Sequence, residues 1–353
     1  MRVEGTPGTD VDGPTDRELL RGAVGLAGLA PSEHNTQPWR WRLHDDVLDL
    51  RADRTRRLPS TDEGARSVLL GCGCALHHLE VALAAAGRRV EVRRGSDEDP
   101  EHPLARIRLG GAADPDPRTA RWFAAIPTRR TDRRRFSARE VGTDAVERLV
   151  DAARPYGGTV HLAVGATRQA VLDAARDADL AQRGHLDYAG ELQHWTHRSA
   201  GDHDGIPATS RPGTPAAAYG DMAVRWMPAG TLDQPRSGLD VRDSSQLLLI
   251  AVPSDDTVSL VRAGEALSAV LLEAESLGLG VTPFAQPFEV PETRARVRQL
   301  ALGRHRVPAI ALRIGRRRPD APGIPPTPRR PLQAVLTEEP VGTSVGSTRA
   351  RRP

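Results

Sequence analysis

The stretch APSEHNTQPW, residues 30–39, places hydrogen-bonding side chains between two prolines. The prolines restrict the backbone on either side, and Ser32, Asn35 and Gln37 offer both donors and acceptors. Such a rigid corner holds donors and acceptors at fixed positions, where they could contact a ligand. An ordinary turn at the end of the preceding helix is the alternative interpretation.

Five of the seven residues from Arg129 to Arg135 are arginine. The preceding Pro-Thr dipeptide predicts the start of a helix, which would bring Arg129, Thr131 and Arg133 around one turn. Backbone N–H groups, a hydroxyl and guanidinium forks in that arrangement suit a phosphate group. A solvated surface with salt bridges is the alternative.

The segment GLGVTPFAQPFE, residues 278–289, follows a predicted helix and contains glycines and two prolines. These residues predict a stiff loop with backbone donors at fixed positions. Such a loop could lie against a flat ligand, although an ordinary connection between a helix and a strand has the same composition.

Composition excludes several other chemistries. All 49 basic residues besides histidine are arginine, so no lysine Schiff base or P-loop lysine can form. The net charge of +3 does not favour nucleic-acid binding.

Cys72 and Cys74 lack further cysteines or spaced histidines that would complete a metal site, so we predict no metal. No run of membrane-spanning length or charged-then-apolar leader is expected, which predicts a soluble cytoplasmic protein.

Helices and strands alternate in a way that predicts a mixed fold. The predicted helices are 16–29, 64–87, 118–126, 143–154, 167–182, 186–196, 260–277 and 292–301. The predicted strands are a pair within 39–51, then 89–94, 104–109, 159–164, 246–252 and 308–314.

Two of these helices have similar sequences. GCALHHLEVALAAAG (73–87) and GEALSAVLLEAESLG (264–278) both begin G-x-A-L and end at a glycine. The similarity predicts an internal duplication in which two halves pack like the subunits of a dimer.

Taken together, the three chemical segments resemble the motifs of the FMN-dependent nitroreductase family. PSEHNTQPW is similar to the family pattern P-S-x-x-N-x-Q-P-W at every fixed position. RRTDRRRF is similar to R-R-S-x-R-x-F, with Thr for Ser and one inserted residue. GLGVTPFAQP resembles the loop under the isoalloxazine ring, and ALRIG (311–315) resembles the closing strand.

The order of the motifs resembles the Acg-like branch, in which two nitroreductase-like halves form one chain. The resemblance implies an α+β fold with mixed or antiparallel sheets flanked by helices and an internal pseudo-dimer. We therefore expect a disordered lead-in (1–15), a first half (16–117), a second half (118–316) with a lid insertion near 183–230, and an extended tail (317–353).

The resemblance also implies which residues bind FMN. Each half would contribute motifs to one shared site, and the reciprocal site would be lost because its motifs are missing. The expected cofactor-binding residues are Pro31, Ser32, Asn35, Arg129, Arg130, Thr131, Arg133, Thr282, Pro283, Phe284, Ala285, Gln286 and Arg313.

Two functions follow as hypotheses. The first is an FMN oxidoreductase that acts on a small nitro, quinone or other conjugated acceptor, with His34 as the nearest candidate acid. The second is a protein that sequesters flavin with little turnover. A lid carrying Trp195 and Trp226 would keep NAD(P)H and bulky substrates from the ring, which makes NAD(P)H a doubtful donor. The fused halves predict a monomer that binds one FMN.

Overall fold

The computed structural model of the chain describes residues 13–95, 102–198, 201–213, 225, 227, 230–233, 243–303 and 305–340. Within these residues the predicted helices and strands are present, with ends that shift by a few positions. They build an α+β structure of two sheets, each of which packs against a long central helix.

The first sheet forms around one of these helices. Helix α1 begins after Thr15, whose side chain and Glu18 form a reciprocal capping box. Strand β1 then alternates buried and exposed residues, as a sheet with one buried face requires. The elements are α1 (Asp16–Ala27), β1 (Trp39–His44), β2 (Val47–Ala52), α2 (Arg66–Ala85), β3 (Arg88–Arg94) and β4 (Ala105–Ala112).

The second sheet has additional helices between its strands. Its strand β6 is a continuous apolar run and is buried on both faces. The elements from residue 117 onward are α3 (Pro117–Ala125), α4 (Thr143–Ala153), β5 (Thr159–Ala163), α5 (Gly165–Arg183), α6 (Tyr188–Thr196), β6 (Gln246–Val252), α7 (Thr257–Ser276), β7 (Leu279–Phe284), α8 (Gln286–Glu289), α9 (Pro291–Ala301) and β8 (Val307–Arg316).

The two sheets have the same strand order. One reads β3-β4-β2-β1 and the other β7-β8-β6-β5, and every pairing within these two sets of four is antiparallel. In each set the helix that follows the second strand, α2 or α7, is twenty residues long. The order of elements therefore repeats along the chain, as the sequence similarity predicts.

The repeated glycines lie where α2 crosses α7. A β-carbon on Gly73 would come 2.0 Å from the Val261 carbonyl oxygen, and one on Gly264 would come 2.2 Å from that of Leu70. These are equivalent contacts when Gly73 is aligned with Gly264. The glycines thus let the two helix backbones touch, and a single apolar core extends from one sheet to the other.

Helix α2 differs from one sequence expectation. Within the described part of the chain it is long and apolar enough to cross a membrane, although no such run was expected; 83% of its apolar window is buried in the protein. A central helix that is covered on most sides needs an apolar surface on most sides, which accounts for its composition.

Two local predictions were wrong. The segment from 278 is not a loop, because Leu279–Phe284 forms strand β7 and pairs with β8. The Pro-Thr dipeptide does not start a helix either. Helix α3 ends at Ala125 just before it, and the arginine-rich residues that follow have no regular structure.

The described part of the expected extended tail contains two short elements. Residues 319–331 carry no helix or strand, but α10 (Leu332–Val335) and β9 (Leu336–Glu338) follow. Strand β9 pairs in parallel with β1 and becomes the fifth strand of the first sheet. This pairing carries the tail from the second sheet back across the molecule to the first.

Candidate active site

The polar corner adopts a backbone that only a constrained site tolerates. His34, Asn35 and Gln37 have φ values of 48°, 57° and 51°, in the left-handed region that costs non-glycine residues about 1–3 kcal/mol each. The Ser32 hydroxyl accepts a hydrogen bond from the Gln37 backbone N–H at 2.8 Å. Gln37 donates to the His203 carbonyl and accepts from the Arg330 backbone N–H.

Asn35 connects the corner to two distant segments. Its amide donates to the carbonyls of Gly205 and Pro328, both at 3.0 Å, and its carbonyl oxygen accepts from Arg329 Nη1 at 3.0 Å. Both amide hydrogens are therefore used within the protein. Asn35 thus positions Arg329 of the tail, a role that the sequence did not predict.

The arginine segment, residues 129–135, is hydrogen-bonded along the edge of the second sheet. The Asp132 backbone N–H donates to the Val281 carbonyl, and the Thr282 hydroxyl donates to the Asp132 carbonyl at 2.6 Å. Phe136 fills the space over Gly280 and Gly315, which are cross-strand partners of β7 and β8. The aromatic residue that ends the motif is thus its anchor in the core.

Arg313 lies apart from the cavities that other predicted residues line. It contacts Asp243, donates to the Arg134 carbonyl at 3.0 Å and stacks on the ring of Phe136 at 4.1 Å. These interactions hold the arginine segment in place. Gln286 is likewise turned away, and its amide donates to Asp179 and Gln182.

The corner and the arginine segment meet between two adjoining cavities. Pro31, Ser32, Thr131 and Arg133 line both of them. The first cavity spans about 790 Å³ of space between atoms, part of it open to solvent, and its walls are mostly apolar. The remaining lining residues are Glu33, His34, Ser67, Leu70, Gly71, Cys74, Arg225, Met227, Leu267, Thr282, Pro283, Phe284, Ala285 and Ile310.

The second cavity, of about 710 Å³, has a different character. Four arginines line it, and its described lining contains no carboxylate. The four are Arg129, Arg130, Arg133 and, from the tail, Arg329. Asn35 and the proline-rich residues 324–327 complete one side.

Arg129 is buried and Arg329 is half-buried, and neither forms an ion pair among the described residues. Arg129 Nε and Nη1 have no hydrogen-bond partner among the described residues, and burial lowers the pKa of Arg129 to about 10. Burial, followed by the charges of Arg129 and Arg130, lowers the pKa of Arg329 to about 9. Uncompensated buried cations are costly unless an anion binds between them. The lining of the second cavity therefore suits an anion.

A smaller group of charges lies at one end of the first cavity. His34 Nε2 is 3.5 Å from Glu33 Oε1 and 3.5 Å from Arg225 Nη1. Arg225 also contacts Glu289, whose pKa burial raises to about 7. Burial and the charges of Arg225 and Arg133 hold the pKa of His34 well below its usual value. His34 is therefore neutral near pH 7, which makes it a poor general acid.

Part of the predicted insertion covers the second cavity. Ile206 and Ser210 line it, and the Ser210 carbonyl accepts from Arg133 at 3.1 Å. Trp195 lines neither cavity; the guanidinium groups of Arg56 and Arg198 lie 5.4 Å and 4.8 Å from the centre of its ring. Trp226 lies outside the described residues.

Arg329 and Arg225 are the main site residues that sequence reasoning missed. The GIPPTPRRP stretch around Arg329 was a usable signal, because closely spaced prolines stiffen a segment that carries two cations. Arg225 has no comparable local signal. Among the described residues no group of three or more His, Cys, Asp or Glu side chains is placed to hold a metal ion.

Comparison with known proteins identifies relatives along almost the full chain. No protein-family model matches it. A protein of Mycobacterium tuberculosis H37Rv, named provisionally as NAD(P)H nitroreductase Rv3131, is 38% identical over 91% of this chain and 92% of its own. The Acg protein of the same strain, also named provisionally as an NAD(P)H nitroreductase, is 35% identical over 90% of this chain and 95% of its own.

Among solved structures, the FMN- and NADPH-dependent nitroreductase NfnB of a Sphingopyxis strain is 19% identical. It covers 62% of this chain and 99% of its own, with a TM-score of 0.40. This likeness is too low to carry an argument about the site, so the relationship rests on the sequence relatives. The chain belongs to the NAD(P)H nitroreductase family, in the group that contains Acg.

Proposed function

We propose that the protein is an FMN-binding oxidoreductase that transfers electrons to or from a small conjugated acceptor such as a nitro compound or a quinone. The observation that carries the proposal is the pair of adjoining cavities. One is a largely apolar slot and the other is an anion site with four arginines. FMN has a flat ring and a terminal phosphate, and it suits this division.

The residues that line the second cavity fit the phosphate group of FMN. Arg129 has two buried guanidinium nitrogens without a partner, and Arg329 lies beside it under restraint from Asn35. A phosphate would supply charge-assisted hydrogen bonds to these donors. Thr131 and Arg130 line the same cavity. We propose that these residues hold the phosphate, with Arg329 in place of Arg313, which the family resemblance includes among the expected cofactor-binding residues.

The first cavity fits the flat ring of FMN. Residues Thr282–Ala285 line one side of the first cavity, and Pro31 and Ser32 line another. Gly71 lets the corner approach, because a β-carbon there would lie 3.1 Å from Pro38 and 3.3 Å from Ser32. Bound FMN supplies the redox chemistry, and the chain's own residues bind it, orient it and exclude water.

One flavin per chain follows from this arrangement. The corner precedes β1 of the first sheet, while the arginine segment and β7 belong to the second. Both contributions therefore come from a single chain across an internal interface. We propose two fused nitroreductase-like halves, with boundaries near residue 117, that act as a monomer.

The alternative, flavin sequestration with little turnover, has some support of its own. The described residues of the insertion tie the corner to the second cavity, through the Asn35–Gly205 and Gln37–His203 hydrogen bonds. A bound phosphate would be enclosed by these contacts. The names of the relatives favour turnover with NAD(P)H, which we propose as the donor to test first. A cytoplasmic location and the absence of a nucleic-acid partner remain predictions.

Two measurements test the proposal. Protein reconstituted with flavin should be yellow, and mass spectrometry of released cofactor should show FMN at one per chain; FAD, or no uptake, would refute the proposal. Anaerobic NADPH or NADH should then bleach the visible flavin band. Retention of FMN without bleaching, while dithionite reduces it, would favour sequestration.

A further inference from the structure

One wall of the second cavity has fewer hydrogen bonds to the rest of the fold than the others. Residues 324–327 line this wall. The stretch 323–327 forms no hydrogen bond or ion pair with any described residue outside the tail. The corner and the arginine segment, which form other walls, are both hydrogen-bonded to neighbouring elements. The proline-rich wall is therefore the one that can move at least cost.

Both ends of this stretch are held in place. The Pro322 carbonyl accepts a hydrogen bond from Arg134 Nη1 at 2.5 Å, and the Pro328 carbonyl accepts one from the Asn35 amide at 3.0 Å. Both donors belong to buried side chains. Residues 323–327, which we call the strap, therefore cross the side of the cavity between two fixed points.

The composition of the strap suits movement as a unit. Pro325 and Pro326 restrict the backbone in its middle. Gly323 stands at one end, and a β-carbon there would meet nothing within 4 Å. Glycine adopts more backbone conformations than any other residue, so Gly323 can act as a hinge without disturbing packed side chains.

The strap also has donors that lack acceptors. The backbone N–H groups of Gly323, Ile324 and Thr327 donate to no described residue. The Thr327 hydroxyl oxygen accepts from Arg329 Nη1, and its own proton has no described acceptor. Arg129 and Arg329 add cationic donors to the same cavity. Hydrogen bonds from such groups to an anion are charge-assisted or numerous, so a bound anion would favour the closed position.

We infer that the strap is the gate through which the phosphate end of FMN enters the second cavity, and that the bound phosphate holds the gate closed. The insertion is a different wall, because its described residues are hydrogen-bonded to Asn35 and Gln37 of the corner. The inference rests on the proposed function, because it describes how the same site is filled and emptied.

Hydrogen exchange measured by mass spectrometry follows the amide protons of the strap. Without ligand these amides should exchange rapidly, because they have no acceptor. Saturating FMN, or inorganic phosphate in excess, should slow their exchange roughly tenfold or more, whereas sodium chloride at the same ionic strength should not. The Arg330 amide already donates to Gln37 at 2.8 Å, so its exchange should stay unchanged.

Binding rates test whether the strap is the route of entry. Gly323→Ala restricts rotation at the hinge, while its β-carbon has open space. Association and dissociation of FMN should both slow by the same factor, roughly two- to fivefold, and Kd should stay at the wild-type value. Stopped-flow fluorescence measures both rates. Gly111→Ala, at an exposed position of β4 with open space around it, should keep the wild-type rates.

Two results overturn the inference. The first is exchange in the strap that neither FMN nor phosphate slows, and the second is wild-type binding rates in Gly323→Ala. If FMN does not bind but phosphate still slows the exchange, the proposed function is refuted and the closing of the strap on an anion stands. If FMN binds and NADPH bleaches it while the strap does not respond, only the present inference is refuted.

Discussion

The two sides of the α2–α7 pair differ in the size and charge of equivalent residues. When Gly73 is aligned with Gly264, Gly71 and Cys74 of α2 correspond to Arg262 and Glu265 of α7. Gly71 and Cys74 line the first cavity. On the opposite side, fully buried Glu265 accepts a hydrogen bond from Arg94 Nε at 2.9 Å.

The turns that precede the first strand of each sheet differ in the same way. A short 3₁₀ turn, Glu33–Asn35, precedes β1, and another, Arg154–Tyr156, precedes β5. The first borders both cavities. In the second, Tyr156 is close enough to the Glu80, Glu265 and Arg94 cluster to interact with their charges. Small residues thus leave one cleft open, whereas charged residues fill the corresponding space.

The largest expected effect comes from introducing, beside the first cavity, the charged residue that occupies the equivalent position on the other side of the α2–α7 pair. Gly71→Arg places at the first cavity the residue that α7 has in the equivalent position. Its side chain would meet Pro38 and Ser32 at once, so we expect FMN affinity to fall more than a hundredfold. Fluorescence titration measures it. Gly25→Arg, on an exposed face of α1 with open space around it, should keep wild-type affinity; if it does not, the effect is not local.

The anion site should depend on individual arginines. Arg129→Ala removes a charge-assisted partner of the phosphate, worth about 1.5–3 kcal/mol, so Kd should rise roughly ten- to hundredfold. Arg329→Ala should have a similar effect, since the two guanidinium groups share one cavity. Arg317→Ala, whose guanidinium contacts Glu275, serves as the control. Equal losses in all three would show that overall charge is responsible.

We propose that one chain supplies both parts of the FMN site, so mixing two defective variants should not restore FMN binding. Asn35→Ala should weaken FMN binding roughly tenfold through loss of the hydrogen bonds to the tail. When Asn35→Ala and Arg129→Ala proteins are mixed, binding should remain the sum of the two separate samples. Equilibrium dialysis measures FMN binding in the mixture, and recovered binding would mean that the site forms between chains. In a separate measurement, analytical ultracentrifugation of wild type should show a monomer.

Local sequence signals predicted most of the elements and indicated two segments of the candidate site. The corner and the arginine segment are each a single short stretch of sequence, so their chemistry could be recognised before their positions in the fold were known. Arg329 could not be assigned because its position depends on the pairing of β9 with a strand almost three hundred residues earlier. Arg313 was expected to bind the cofactor, but it lines neither cavity and pairs with Asp243, which is also distant in sequence. Conversely, the GLGVTPF segment was predicted as a loop because glycine and proline usually interrupt strands, but here the glycine accommodates Phe136.

The smallest effect should come from the charged cluster of Glu80, Glu265 and Arg94, on the side opposite the cavities. A change there should alter stability and leave FMN binding unchanged. Burial and the charge of Glu265 raise the pKa of Glu80 to about 8, against the opposing charge of Arg94. The unfolded chain releases this proton near pH 4.5, so between these values the folded state binds more protons. The free energy of unfolding should therefore fall as pH rises from 5 to 8, by at most about 1.4 kcal/mol per unit. Glu80→Gln removes this dependence, so the variant should gain stability relative to wild type over that range, measured by urea unfolding of FMN-free protein. Glu147→Gln, at an exposed position of helix α4, is the control. An unchanged pH slope in Glu80→Gln would show that the Glu80 carboxyl group is already ionised in the folded protein.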